Sequence, residues 1–180
     1  MGARFAVVGG MAVSFRTIER FTKDVDIAVA VETDAEAEAV VLMIRNSGYF
    51  VDTVVEQDAV ESLSTIRLVP FGDREMFVDI LFGSSGIESE VVSSATDAEI
   101  TLGLVAPVAT VSSLIALKTL SANWKQRPQD VLDLQQLISA ASEQDVAEAR
   151  QLLDLISERG YNRNKDLQKD LDGYIEQFKD

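Results

Sequence analysis

Hydrophobic positions in the first hundred residues switch back and forth between a two-residue and a helical period. "RFAVV", residues 4–8, is a compact apolar run that reads as a buried strand. Gly9 and Gly10 follow it and open a helix that extends to about Ile18. "DVDIAVAV" then alternates strictly. Val25, Ile27, Val29 and Val31 leave one face of the strand, and Asp24, Asp26, Ala28 and Ala30 leave the other. Thr33 and Glu36 stand at capping-box spacing and start a second helix, which Asn46 to Gly48 ends. Three more strands are predicted at about residues 49–55, 64–69 and 75–82, with the turn "PFGDRE", carrying Pro70 and Gly72, between the last two.

After "GSSG", residues 83–86, the pattern changes. A short helix or loop and one strand near residues 99–105 lead into a purely helical remainder. "SSLIALKTLSANW" is one helix, and another begins at Pro128, a residue suited to the first helical position. A third runs from about Glu143 to Arg159 and stops at Gly160. The last carries Leu167, Leu171, Tyr174 and Phe178 as one apolar stripe. The expected fold class is therefore α/β (α+β). A small mixed β-sheet core flanked by helices occupies residues 1–106, and a C-terminal helical region, 107–180, packs on it.

Composition narrows the chemistry more than the fold. The 180 residues are enough to enclose a core, and no apolar run approaches the ~20 residues of a membrane span. The start, "MGARFAVVGG", shows no secretory pattern, so a cytoplasmic protein without a membrane partner is expected. The chain has neither cysteine nor histidine. Thiol nucleophiles, thiolate metal sites, Ser-His triads and ordinary zinc catalysis are thereby excluded. Any reaction must rest on carboxylates, Lys, Arg, hydroxyls and backbone groups. A net charge of -14 argues against broad non-specific binding of nucleic acid. Seven of the basic residues (Arg4, Arg16, Arg20, Lys23, Lys118, Lys125 and Arg127) nonetheless lie in or beside the two segments that carry the candidate chemistry.

Those segments centre on acids in unexpected places. Asp24 and Asp26 share one strand face, about 7 Å apart along the chain. Asp79 in "MFVDILF" is enclosed by apolar residues, with Phe77 and Leu81 on its own face. Three carboxylates on neighbouring strands would repel one another and be costly to bury unpaired. A divalent, oxygen-seeking cation such as Mg²⁺ removes that cost. Two such ions can clamp the attacking and leaving oxygens of an in-line phosphoryl or nucleotidyl displacement. Gly9-Gly10 suits the same picture, since backbone N–H groups at a helix start can approach a phosphate. Taken singly, each acid also fits an ordinary charged edge or turn.

Val8-Gly9-Gly10, thirteen intervening residues and Asp24-Val25-Asp26-Ile27, with Asp79 on a later strand, resemble the signature of nucleotidyltransferases related to DNA polymerase β. "LIALKTLSANWKQRPQDVLDL" resembles the helical motif of the AbiEii-type abortive-infection nucleotidyltransferase toxins, with Lys118, Arg127, Asp130 and Asp133 at the matching positions. Together the two segments cover residues 5 to about 138. Two features depart from the pattern. The chain begins almost on the glycine strand, and Gly-Gly replaces the Gly-Ser of polymerase-like members, leaving Ser14 or Thr22 to offer a hydroxyl instead.

The resemblance implies an enzyme that moves a nucleoside monophosphate from an NTP to a hydroxyl acceptor, releasing pyrophosphate. Asp24, Asp26 and Asp79 would ligate Mg²⁺ (or Mn²⁺), and Asp79 would help deprotonate the acceptor. Gly9, Gly10, Lys118 and Arg127 would bind the nucleotide, and Asp130 would order Lys118 or Arg127. The implied acceptor is the end of a tRNA or a protein hydroxyl, and the implied partner an antitoxin protein. The alternatives are a non-catalytic nucleotide-binding or interaction domain of the same fold, and a nucleotidyltransferase acting on a small aminoglycoside-like molecule.

Overall fold

The computed structural model describes residues 3–57, 62–72 and 75–178. Strand β1 (Arg4–Val8) runs into helix α1 (Gly9–Arg16), and β2 (Asp24–Ala30) returns antiparallel to it. Helix α2 (Asp34–Asn46) is capped by the Thr33 hydroxyl, which accepts from the Glu36 N–H, while the Glu36 carboxylate accepts from the Glu32 N–H rather than closing the box on Thr33. Strands β3 (Tyr49–Gln57), β4 (Ser62–Pro70) and β5 (Phe77–Leu81) follow as antiparallel neighbours. The expected turn after Pro70 lies partly outside the described residues.

One expectation is corrected here. The single strand foreseen near residues 99–105 is a hairpin, β6 (Thr96–Thr101) and β7 (Leu104–Val108), preceded by helix α3 (Glu88–Ser94). Gly103 reverses the chain at φ +79° and its N–H donates to the Glu99 carboxylate. The midpoint of the predicted strand is thus the turn. Four helices complete the chain: α4 (Val111–Ser121), α5 (Pro128–Ala140), α6 (Glu143–Glu158) and α7 (Leu167–Phe178). Helix α4 ends three residues before the predicted Trp124, because Asn123 folds back to bridge Arg127.

The strands form one mixed seven-stranded sheet in the order β3-β4-β5-β2-β1-β7-β6. The alternation of β2 decides what each face meets. Ile27, Val29 and Val31 join Ala37 of α2 with Ile66, Leu68, Ile80 and Phe82 in one cluster. Ala28 on the opposite face joins Ala6 and Val8 of β1, Val91 of α3 and the fully buried Leu114, Ile115, Leu134, Leu137, Leu153 and Leu171 of the late helices. Each such Leu or Ile contributes ~1.5–3 kcal/mol on burial. This larger cluster joins the sheet to the helices, so α4 and α5 lie over the face from which Asp24 and Asp26 project.

Candidate active site

The parallel pairing of β2 with β5 sets Asp26 directly beside Asp79, and Asp24 beside Phe77. On the other flank, antiparallel β1 places Val8 opposite Asp26, so the Gly9-Gly10 turn overhangs that carboxylate. The two glycines are explained by close approach. Gly9 has φ +62°, and a Cβ there would fall 1.8 Å from Asp26 Oδ2. A Cβ on Gly10 would come within 2.6 Å of Arg20 Nη2. The Gly10 backbone donates to the Asp26 carboxylate. The hydroxyls offered as substitutes are in use: Ser14 bonds the Arg20 carbonyl at 3.2 Å and Thr22 the Asp24 carbonyl at 2.9 Å.

Asp26 holds its proton more tightly than an ordinary carboxyl. Burial is the main cause and the Asp79 charge adds to it; Lys118 opposes, Asp24 adds again, and the Gly10 hydrogen bond opposes. Such a carboxylate is only partly compensated by Lys118. Among the described residues, no three acidic side chains close into a ready ion cage. Asp24 and Asp26 nevertheless fit a hard cation that completes its shell with phosphate oxygens, as Mg²⁺ commonly does.

Asp79 is differently placed. Arg67, its register partner on β4, grips it with two bonds, Nε to Oδ1 at 2.8 Å and Nη2 to Oδ2 at 2.6 Å. The guanidinium also lies over the Phe77 ring, 5.0 Å from its centroid. A row of residues therefore crosses four strands, Arg67, Asp79, Asp26 and Val8. Sequence reasoning missed Arg67; only the register of β4 on β5 could have exposed it.

The helical half of the site is a closed ionic network. Lys118 on α4 is buried rather than snorkelling to solvent, and its Nζ meets Asp130 Oδ1 at 2.5 Å and Asp133 Oδ2 at 2.8 Å. Asp133 is fully buried and also takes two bonds from Arg20, at 2.9 and 2.8 Å, and one from Gln129 at 3.0 Å. Burial by itself would raise its proton affinity; the Arg20 bonds and the Lys118 charge outweigh that and leave its pKa lowered. Arg127, at the start of α5, lies 2.6 Å from Asp130 Oδ2. That contact is an ion pair without hydrogen-bond geometry, so the buried oxygen keeps a free lone pair. Asp130 thus orders both Lys118 and Arg127. The sequence did not reveal that Arg20, placed near the acids of β2, belongs to Asp133.

The two halves face each other across a cleft of about 220 Å³ lined by Gly9, Asp26, Asp79, Lys118, Arg127 and, unforeseen, Arg163. Ser84 and Ser85 of the "GSSG" loop line it too. Their hydroxyls and backbone N–H groups all donate to one oxygen of the buried Glu88, which fixes the loop on the start of α3.

The chain matches over residues 1–179 the family described as "Nucleotidyl transferase AbiEii toxin, Type IV TA system". No curated protein matches it in sequence. Among solved structures it is similar to an antigenic nucleotidyltransferase-like protein from Paracoccidioides brasiliensis, at 19% identity and a TM-score of 0.49, over 94% of this chain and 84% of that one. It is also similar to the lincosamide antibiotic adenylyltransferase LnuA in its lincomycin-bound form, at 12% identity and a TM-score of 0.47, over 77% and 88% of the two chains. A third is the antibiotic-resistance factor ANT(2'')-Ia, at 15% identity and a TM-score of 0.43, over 98% and 82%.

Proposed function

The chain belongs to the AbiEii nucleotidyltransferase toxin family, and on that premise we propose that it transfers a nucleoside monophosphate from an NTP to a hydroxyl acceptor. The observation that carries this reading is the pairing of Asp26 with Asp79 on adjacent strands, across one cleft from Lys118 and Arg127. An undercompensated carboxylate, Asp26, on one wall and ordered cations on the other match the two ends of a metal-bound triphosphate.

In this reading the acceptor oxygen attacks the α-phosphorus, a new O–P bond forms, and the bond to the bridging oxygen breaks to release pyrophosphate. Mg²⁺ (or Mn²⁺), when bound, supplies Lewis-acid stabilisation of the phosphate charge. Asp24 and Asp26 would hold it, and Asp79 would complete the set once Arg67 yields. Asp79 would also accept the acceptor's proton. Lys118, fixed by Asp130 and Asp133, would neutralise charge on the triphosphate, with Arg127 beside it. Gly9 leaves room for the Asp26 carboxylate and, with Gly10, for the phosphates above it. The acceptor is the end of a tRNA or a protein hydroxyl, and the partner that restrains the reaction an antitoxin protein.

The test is incubation of the full chain with each labelled NTP, Mg²⁺ and either bulk tRNA or cell protein, beside an Asp24→Ala/Asp26→Ala variant. Label on one acceptor class, absent with the variant, is the expected result. Absence of transfer to every acceptor, together with absence of Mg²⁺-dependent NTP binding, overturns the reading.

A further inference from the structure

We infer that Arg163 is a further triphosphate-binding residue, carried into the cleft by the loop between α6 and α7. This deepens the nucleotidyl-transfer reading and rests on it. The helical region then supplies part of the site from its far end, beyond either motif seen in the sequence.

Three observations converge on this residue. The first is placement: Arg163 lines the same cleft as Asp26, Asp79, Lys118 and Arg127. The loop that brings it there is anchored on both sides. Arg159 bonds the Gly86 carbonyl and pairs with Glu90 at 2.6 Å, and the Tyr161 ring lies so close to Gly86 that a Cβ there would be 2.5 Å from it. Beyond Arg163, Lys165 Nζ donates to the carbonyls of Leu120 and Ala122 at 2.9 and 3.0 Å, closing the end of α4.

The second observation is backbone conformation. Arg163 and Asn164 have φ 55° and 59°, and among the described residues they alone are non-glycine residues with positive φ. A left-handed backbone at an arginine is held against its own preference, a cost that folds retain chiefly where a side chain must be aimed.

The third is charge. Each other cation of the site has a carboxylate: Arg20 has Asp133, Arg67 has Asp79, Lys118 has Asp130 and Asp133, and Arg127 has Asp130. Among the described residues Arg163 pairs with none, and its guanidinium makes one bond, from Nη2 to the Ser84 carbonyl at 3.2 Å. Partial burial and the Arg127 charge weaken its hold on its proton, and the Glu88 charge opposes them. An exposed guanidinium at the cleft that contacts no carboxylate is free to take an anion. The small cleft it shares with the acids suits a phosphate chain rather than a polymer backbone, and a guanidinium can take two phosphate oxygens at once.

The experiment compares the intact chain with Arg163→Gln and Arg163→Gly, reading Mg²⁺-dependent calorimetric affinity for an NTP and for the matching NMP, together with the thermal midpoint. Both variants should bind the NTP at least ~10-fold more weakly and the NMP unchanged. Arg163→Gly should keep or raise the midpoint, because glycine accepts the left-handed backbone. NTP affinity unchanged in both variants overturns the inference and leaves the nucleotidyl-transfer reading standing. Equal loss of NTP and NMP affinity with a lowered midpoint also overturns it, by marking Arg163 as a structural tie. Failure of the unaltered chain to bind any NTP overturns the underlying reading and the inference with it.

Discussion

The two walls of the cleft use the same materials and reach opposite electrostatic states. On the helical wall, Asp130 and Asp133 are surrounded by Arg20, Lys118 and Arg127 at 2.5–2.9 Å, and Asp133 is an easily ionised carboxylate despite complete burial. On the strand wall, Asp26 meets other acids and retains its proton more tightly. A satisfied network fixes side chains; an unsatisfied one leaves a place for a cation. On the proposed reading, the difference separates a positioning wall from a binding wall.

The largest effect should come from breaking the satisfied wall. Asp133→Ala leaves Lys118 and Arg20 without their shared partner and should cost about 3–5 kcal/mol, measured by urea unfolding. Asp26→Asn should do the reverse. Above the raised folded pKa the Asp26 charge opposes folding, and this penalty appears as pH rises from the ordinary carboxyl value through the folded one. The neutral variant should therefore be at least as stable at pH 7, while nucleotidyl transfer falls by about 100-fold or more, roughly 2.7 kcal/mol of barrier. A variant that lost stability and activity together would erase the distinction between the walls.

Arg67→Gln sharpens it further. Arg67 is partly exposed, so its pair with Asp79 contributes only about 1 kcal/mol. Freeing Asp79 should tighten Mn²⁺ binding by about fivefold, read by titration calorimetry. The smallest effect is in the acid limb of stability. Asp133 has its folded pKa lowered, so its contribution is complete above about 3.9 and fades as pH falls from there through the folded value. Asp133→Asn should flatten that limb in acid titrations followed by circular dichroism.

Much of the fold was legible because its elements are local. The alternation in β2 correctly separated Ala28 from Ile27 and Val29, which lie in different clusters. The strand predicted near residues 99–105 was wrong for a local reason too: Gly103, inside the apolar stretch, is a turn. The site was legible only in part. Asp24, Asp26 and Asp79 stood out by type and spacing, Lys118 and Asp130 by resemblance to a family motif, and Asp26, Asp79 and Lys118 line one cleft. Arg20 and Asp133 are 113 positions apart, Arg163 and Ser84 79 apart, and no periodicity relates them.

The sequence by itself determined the strand that carries two acids on its unhindered face, the glycine turn before it, and the order of helices after the sheet. These follow from side-chain alternation, backbone freedom and helix periodicity, which act over a few residues. The tertiary structure decided which charges are paired. Strand register joined Arg67 to Asp79, and packing of α5 against α1 and α4 gave Asp133 to Arg20 and Lys118. An ionic contact depends on separations of a few ångströms in space, which distance along the chain does not specify.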